Sequence, residues 1–296
     1  MRLALAASTR KAYDRSVEQF TAFREQVGLA DLWPIPVEHL MQFCVELKGK
    51  GLVVKTIRAK LAALAFTSKV RGLSDSSGDF RLRKMLEGWS REQGPRSDPR
   101  TPFSPEVLKG FGRIWPTIRF SEFEALLFQA AAMAAFFGAL RVSELVVSSR
   151  NDSSGRALLM GDVKIVGDCV TIRVRRSKTD QRHKGVTITL GSCHVSEICP
   201  VLALKGYISV RGDDPGPFFR HEDGSPLTKF QFWSVTSQAL VKLGLSGFRF
   251  GTHSFRIGAA STAAAMGYPG PAIQHVGRWR SSAYKSYVRP MLHDMC

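Results

Sequence analysis

The stretch Gly251–Tyr287, GTHSFRIGAASTAAAMGYPGPAIQHVGRWRSSAYKSY, decides how this chain is read. Thr252 or Ser254 suits a helix N-cap, and Phe255, Ile257, Ala259, Ala260 and Ala263 to Ala265 supply helix-compatible apolar residues before Gly267 and Pro269 end the run. Residues three apart share a helix face, so His253 and Arg256 would present an imidazole and a guanidinium to one ligand. Arginine is a permanent cation with a planar fork of donors, and histidine donates or shuttles a proton near neutral pH. Taken alone, the pair reads more simply as a capping histidine and a solvated arginine. Its meaning depends on what the rest of the chain brings to it, starting with Trp279 and the tyrosines at 284 and 287 in the same basic segment.

The chain has 296 residues, enough for one large domain or two ordinary ones, and 44% of them are apolar, as a globular core requires. Its 42 Lys and Arg against 25 Asp and Glu leave a formal charge of +17, which points to a polyanionic partner such as nucleic acid, with a membrane surface as the competitor. No apolar run approaches the roughly 20 residues that span a bilayer. The opening MRLALAAS has too short an apolar core for a signal peptide, so an intracellular location is expected, nuclear in a eukaryotic host. Five scattered cysteines, Cys44, Cys169, Cys193, Cys199 and Cys296, read as free thiols. Cys193, His194, Cys199 and His183 lack the paired close spacing of zinc sites, and there is neither a P-loop nor a dinucleotide glycine fingerprint. No metal or nucleotide cofactor is expected.

Helical spacing recurs from Ser8 with Tyr13, Val17, Phe20 and Phe23, capped by Ser8 or Thr9 and ended by Gly28. It recurs after Pro36, from Lys55 to Arg71, and from Phe80 to Trp89, predicting a small all-α domain over residues 1–98. Lys55, Arg58, Lys69 and Arg71 give its third helix basic faces, a candidate DNA surface, although charged helix faces are ordinarily just solvated. The segment SREQGPRSDPRTPFSP reads as a linker, placing a second domain at 99–296. That domain should hold a buried alanine-rich helix from Ser121 to Phe137, a helix beginning near Arg141, and three alternating strands near 162–166, 169–175 and 185–190. Arg141 and Glu144 at i and i+3 read locally as a surface pair, and Lys178 in RRSKTDQRHKG as a solvated hairpin tip. Two further helices, Cys199–Val210 and Thr228–Leu243, flank the loop RGDDPGPFFRHEDGSP, whose RGD reads as a turn.

Set in order, ALRVSEL, RRSKTDQ, HSFR and GRWRSSAYKSYVR resemble the tyrosine recombinase, or phage integrase, family, and the small helical domain resembles its core-binding domain, so the resemblance spans nearly the whole chain. The HSFRIGAA and GRWRSSAYKSYVR wording is similar to recombinases of eukaryotic mobile elements of the DIRS and Crypton kinds. The resemblance implies a mainly α fold with a small antiparallel β-sheet, in two domains that clamp double-stranded DNA, acting as a homo-oligomer, dimer to tetramer. It implies Arg141, Lys178, His253, Arg256, Trp279 and a tyrosine as catalytic residues, with Glu144 supporting Arg141. The tyrosine would attack a phosphodiester to give a 3′-phosphotyrosyl link without ATP or metal.

The family usually places its nucleophile nine residues after the His or Trp, which here is Val288. Tyr287 is expected to be the nucleophile because the following Val-Arg matches the family text, and Tyr284 is the alternative. Two other readings stay open at this point: a non-catalytic DNA-binding derivative, and a nicking-closing enzyme of the type IB topoisomerase kind.

Overall fold

The computed structural model describes residues 5–94, 98–118, 121–177, 180 and 184–290. The chain divides into two compact units, Met1–Asp98 and Pro99–Cys296. As expected, it is mainly helical with one small antiparallel sheet.

The first unit packs four helices, α1 (Ala7–Gln26), α2 (Val37–Gly49), α3 (Val54–Val70) and α4 (Phe80–Gln93). Phe20, Phe23 and Phe43 meet at its centre, Phe20 stacked on Phe23 and edge-on to Phe43, with Leu40, Ile57, Leu61, Leu64 and Leu82 around them. Arg24 is also buried: its guanidinium pairs with Asp31 at 2.6 Å and lies over the Phe20 ring. The cap of α1 is Ala6 with no side-chain bond, not Ser8 or Thr9, which lie inside the helix. Helix α4 runs four residues beyond Trp89 into the predicted linker, where Gly94 ends it at φ 64°.

The second unit is built around α6 (Glu122–Phe137), in which every residue from Ala130 to Ala135 is buried. Small side chains let neighbours approach on all sides, which is why an alanine-rich run becomes a central helix. Ser121 caps it by accepting from the Glu124 N–H. Before it comes α5 (Pro105–Ile118), and after it a single turn, α7 (Val142–Leu145), beginning beside Arg141 as expected. The strands β1 (Val163–Val166), β2 (Cys169–Val174) and β3 (Val186–Gly191) pair in sequence order, with Val163 opposite Ile172 and Val174 opposite Val186. Then follow α8 (Pro200–Arg211), α9 (Lys229–Lys242), α10 (Ser254–Ala265) and α11 (Gly270–Gly277). Phe103 ties the start of the unit to its end: its N–H donates to the Ser254 carbonyl, and its ring meets Phe250 and Phe255.

Arg211, the arginine of the RGD tripeptide, is buried and donates to the carbonyls of Gly212, Asp214, Pro217 and Phe218. The tripeptide is therefore part of a hydrogen-bonded corner. Cys44, Cys169, Cys193 and Cys199 are free thiols, and Cys296 lies outside the described residues. Among the described residues, no group of three metal-ligating side chains comes together, and no helix is long and apolar enough to cross a membrane.

A second polar tie joins α6 to the loop before α9, where His221 Nδ1 lies 3.0 and 2.9 Å from the two Glu124 carboxylate oxygens. This hydrogen bond holds the His221 pKa above its ordinary 6.5, with burial opposing. A raised folded value means the pair contributes its full stability below the unfolded pKa and loses it as pH rises through the folded one. The melting-temperature gap between wild type and His221→Gln is expected to narrow as pH rises through neutrality. A gap constant from about pH 5 to about pH 9 would sink this account.

Candidate functional site

Three segments of the second unit converge. The first is the turn after α6, where Gly138 ends the helix and Ala139 takes φ 42°. This swings Arg141 to the N-cap of α7, with its backbone extended. Glu144, in the same short helix, folds back on it: one carboxylate oxygen accepts the Arg141 backbone N–H at 3.0 Å and the other accepts Nη1 at 2.8 Å. Glu144 is 1% exposed and Arg141 17%, so the pair is far more buried than the surface contact its spacing suggested.

The second segment is α10. His253 is its N-cap residue and Ser254 its first, and the Ser254 hydroxyl accepts the Gly251 N–H at 3.0 Å. Arg256 lies in the first turn, 1% exposed, rather than in solvent. Its Nη1 donates to the Ala139 carbonyl and its Nη2 to the Gly277 carbonyl. Burial and the Arg141 and Arg278 charges lower its pKa to about 10, so it stays charged at neutral pH. His253 is half-buried and lowered by desolvation first and then by Arg100, Lys229, Arg141 and Arg256, which keeps its imidazole neutral near pH 7.

The third segment is α11 and the 3₁₀ turn Ser282–Ser286 that follows it. Here Gly277 matters because a β-carbon on it would overlap the Trp279 ring. The close approach lets Trp279 lie under the Arg256 guanidinium, 4.4 Å from ring centroid to Cζ, with its Nε1 buried and without a partner. Tyr287 meets Trp279 at 4.8 Å between ring centroids and lies 5.5 Å from the Arg256 Cζ. Tyr284 is placed differently. Its hydroxyl lies against Gly270 at the start of α11, where a β-carbon would come within 2.2 Å of it. Tyr287 thus shares the guanidinium cluster, whereas Tyr284 packs the base of α11.

Arg278 is a site residue that sequence reasoning missed. Its Nη2 donates to Glu144 at 3.1 Å and its Nη1 to the Gly138 carbonyl at 2.9 Å. Burial lowers its pKa first, with Glu144 opposing and Arg141 adding to the lowering. One signal was available: Tyr287 lies nine residues after Arg278, the interval expected from the preceding His or Trp position.

Lys178 lies outside the described residues. The flanking residues Ser177, Asp180 and Gly185 line a cavity of about 220 Å³ with Arg278 and Arg280, so the base of that hairpin opens beside the cluster. In the first unit, Lys55 and Arg58 are exposed on α3. Lys69 pairs with Asp75 at 3.1 Å, and the Arg71 guanidinium stacks 4.2 Å from the Trp33 ring, so those two are partly engaged within the unit.

No protein-family model matches the chain. It is 27% identical over 273 residues, 88% of this chain and 74% of the relative, to the integrase/recombinase xerD homolog of Selenomonas ruminantium. Among solved structures, it is similar to a XerH site-specific recombinase bound to a palindromic difH substrate in a post-cleavage complex, with TM-score 0.66 and 17% identity over 94% of this chain and 75% of that one. It is also similar to the Tn1549 transposon integrase in complex with circular intermediate DNA, with TM-score 0.64 and 16% identity over 98% and 92% of the two chains. A lambda integrase dimer bound to a COC′ core site gives TM-score 0.62 and 15% identity over 96% and 89%. The chain has the tyrosine recombinase fold.

Removing one partner of a buried ion network leaves the others uncompensated. Glu144→Ala is therefore expected to lower the unfolding free energy in urea by about 3–5 kcal/mol. A loss under about 1 kcal/mol would class the contact with exposed pairs instead.

Proposed function

We propose that this protein is a site-specific DNA recombinase that breaks and rejoins DNA strands through a 3′-phosphotyrosyl intermediate, serving integration or excision of a mobile element. The observation that carries this reading is the position of Tyr287, a phenol beside a buried cluster of Arg141, Arg256 and Arg278 with one carboxylate among them. Three guanidiniums and one carboxylate leave two positive charges. A phosphodiester carries one negative charge and its pentacoordinate transition state two, so the cluster's charge matches the state that must be stabilised.

The steps follow from the groups present. The Tyr287 hydroxyl oxygen attacks phosphorus, the bond to the 5′-oxygen breaks, and the 5′-oxygen leaves with a proton supplied by Lys178. Arg141 keeps donors beyond the one given to Glu144, and Arg256 beyond the two given to carbonyls, for the non-bridging oxygens. Neutral His253 accepts or relays the tyrosine proton. The unpartnered Trp279 Nε1–H is a further donor to phosphate. Attack by another 5′-hydroxyl reverses the step and completes exchange. The covalent link conserves the bond energy, so the scheme requires neither nucleotide hydrolysis nor a metal.

In this reading residues 99–296 are the catalytic domain and 1–98 a DNA-binding domain, with Lys55, Arg58, Lys69 and Arg71 as its phosphate-binding cations. The net charge of +17 supports a DNA partner. The protein works as a homo-oligomer, dimer to tetramer, on DNA. The HSFRIGAA and GRWRSSAYKSYVR wording supports kinship with DIRS- and Crypton-type elements, and with it a nuclear site of action.

The test is incubation with a nicked suicide duplex carrying an element-terminal site, without added metal, followed by a denaturing gel. Wild type and Tyr284→Phe are expected to form a covalent protein–DNA complex, and Tyr287→Phe to form none. Capture lost in Tyr284→Phe but kept in Tyr287→Phe would reverse the nucleophile assignment. Intact DNA binding with no capture by the wild type would favour the non-catalytic derivative.

A further inference from the structure

Arg278 closes the cluster without pointing into it. Its guanidinium is committed to the protein: Glu144 at 3.1 Å, the Gly138 carbonyl at 2.9 Å and the Ala139 carbonyl at 3.3 Å. Glu144 in turn holds Arg141, and the Ala139 carbonyl also accepts Nη1 of Arg256. One carboxylate and one carbonyl thus each serve two arginines, and Arg278 is the arginine that bonds to both.

Its backbone supplies a second, independent observation. Among the described residues, the non-glycine positions with positive φ are Ala139 at 42° and Arg278 at 55°. They are far apart in sequence and hydrogen-bonded to each other. Arg278 ends α11 in the left-handed conformation that glycine adopts without steric cost. Folding therefore tolerates strain at the two residues that join these segments, one of which offers its carbonyl to two guanidiniums and the other of which supplies one of those guanidiniums.

We propose that Arg278 is a positioning residue of the strand-transfer site, fixing Glu144 and the Ala139 turn and, through them, the guanidiniums of Arg141 and Arg256. The proposal rests on the strand-transfer reading above. Arg278 does not touch DNA; it sets the angle at which its neighbours do. A lysine keeps the charge but has one nitrogen, which cannot span Glu144 and two carbonyls as the planar fork does. Glycine relieves the backbone and removes the brace, so Arg278→Gly separates the structural cost from the positioning role.

The experiment compares wild type, Arg278→Gly and Arg278→Lys on the nicked suicide duplex and on the same duplex with a methylphosphonate at the scissile position. The methyl group replaces a non-bridging oxygen and makes the phosphorus centre neutral. On the phosphodiester, Arg278→Gly is expected to form covalent complex about 100-fold more slowly, the cost of misplacing catalytic groups by about 1 Å. Its melting temperature is expected to fall only modestly, because the freedom of glycine in the left-handed conformation partly offsets the lost bonds to Glu144 and the two carbonyls, and Arg278→Lys, which keeps the backbone strain, should fall at least as far. DNA affinity should stay within about twofold, since the Arg278 guanidinium is taken up by protein acceptors rather than phosphate. On the methylphosphonate, where the charge met by Arg141 and Arg256 is gone, the deficit should shrink. Arg278→Lys should show the same pattern as Arg278→Gly, less severely.

Equal deficits on both DNAs, wild-type cleavage by Arg278→Gly, or full restoration by lysine would overturn the proposal. If the wild type captures neither DNA, the strand-transfer reading fails by itself. A crystal structure of Arg278→Gly then decides the positioning claim: Arg141 displaced from Glu144 upholds it, and Arg141 unmoved overturns it.

Discussion

The buried carboxylate of Glu144 is the constraint on which the second unit's polar cluster depends. Three guanidiniums crowd one small volume: burial lowers the pKa of Arg256, with the Arg141 and Arg278 charges adding to it, and burial lowers that of Arg278, with the Arg141 charge adding. Without an anion among them, such a grouping would be pushed apart. Glu144 offsets part of that repulsion while accepting three N–H donors, two from Arg141 and one from Arg278. The rest of the compensation comes from backbone carbonyls at 138, 139 and 277, which the ends of α6 and α11 leave available. Helix termini thus act here as ready-made acceptors for buried arginines.

The architecture around the cluster follows from that need for close approach. The alanine run of α6 lets its neighbours pack tightly, and the sharp turn at Ala139 brings its final carbonyls toward α10. Gly277 leaves room for the indole that stacks on Arg256, and Phe103 seats the start of α10 from the other side. Apolar packing therefore carries most of the folding, and the polar site occupies the seam where three helix ends meet.

Much of this was legible in the sequence. Helix α6, the capped α9 and the three strands follow from periodicity and turn residues, because burial imposes those periods directly. Arg141, His253, Arg256, Trp279 and Tyr287 emerged from their order along the chain, a pattern stronger than any one of them. What stayed hidden depends on distance across the fold. The spacing of Arg141 and Glu144 suggested an exposed pair, since nothing local reveals that α10 and α11 cover it. Arg256 looked solvated for the same reason. Arg278 drew no notice because its partners lie more than 130 residues away. The α1 cap and the length of α4 were misjudged where short polar and Gly-containing segments gave competing local signals.

The buried Arg211 has a consequence for how short motifs are read. An adhesion tripeptide works only if its guanidinium is offered to a receptor, whereas this one is consumed by four carbonyls of its own loop. The Phe218 carbonyl also accepts the Tyr207 hydroxyl, so two side chains of α8 hold the same loop. In this chain RGD is therefore a knot tied from within, and its aspartate and glycine are simply the bend that lets the arginine reach back.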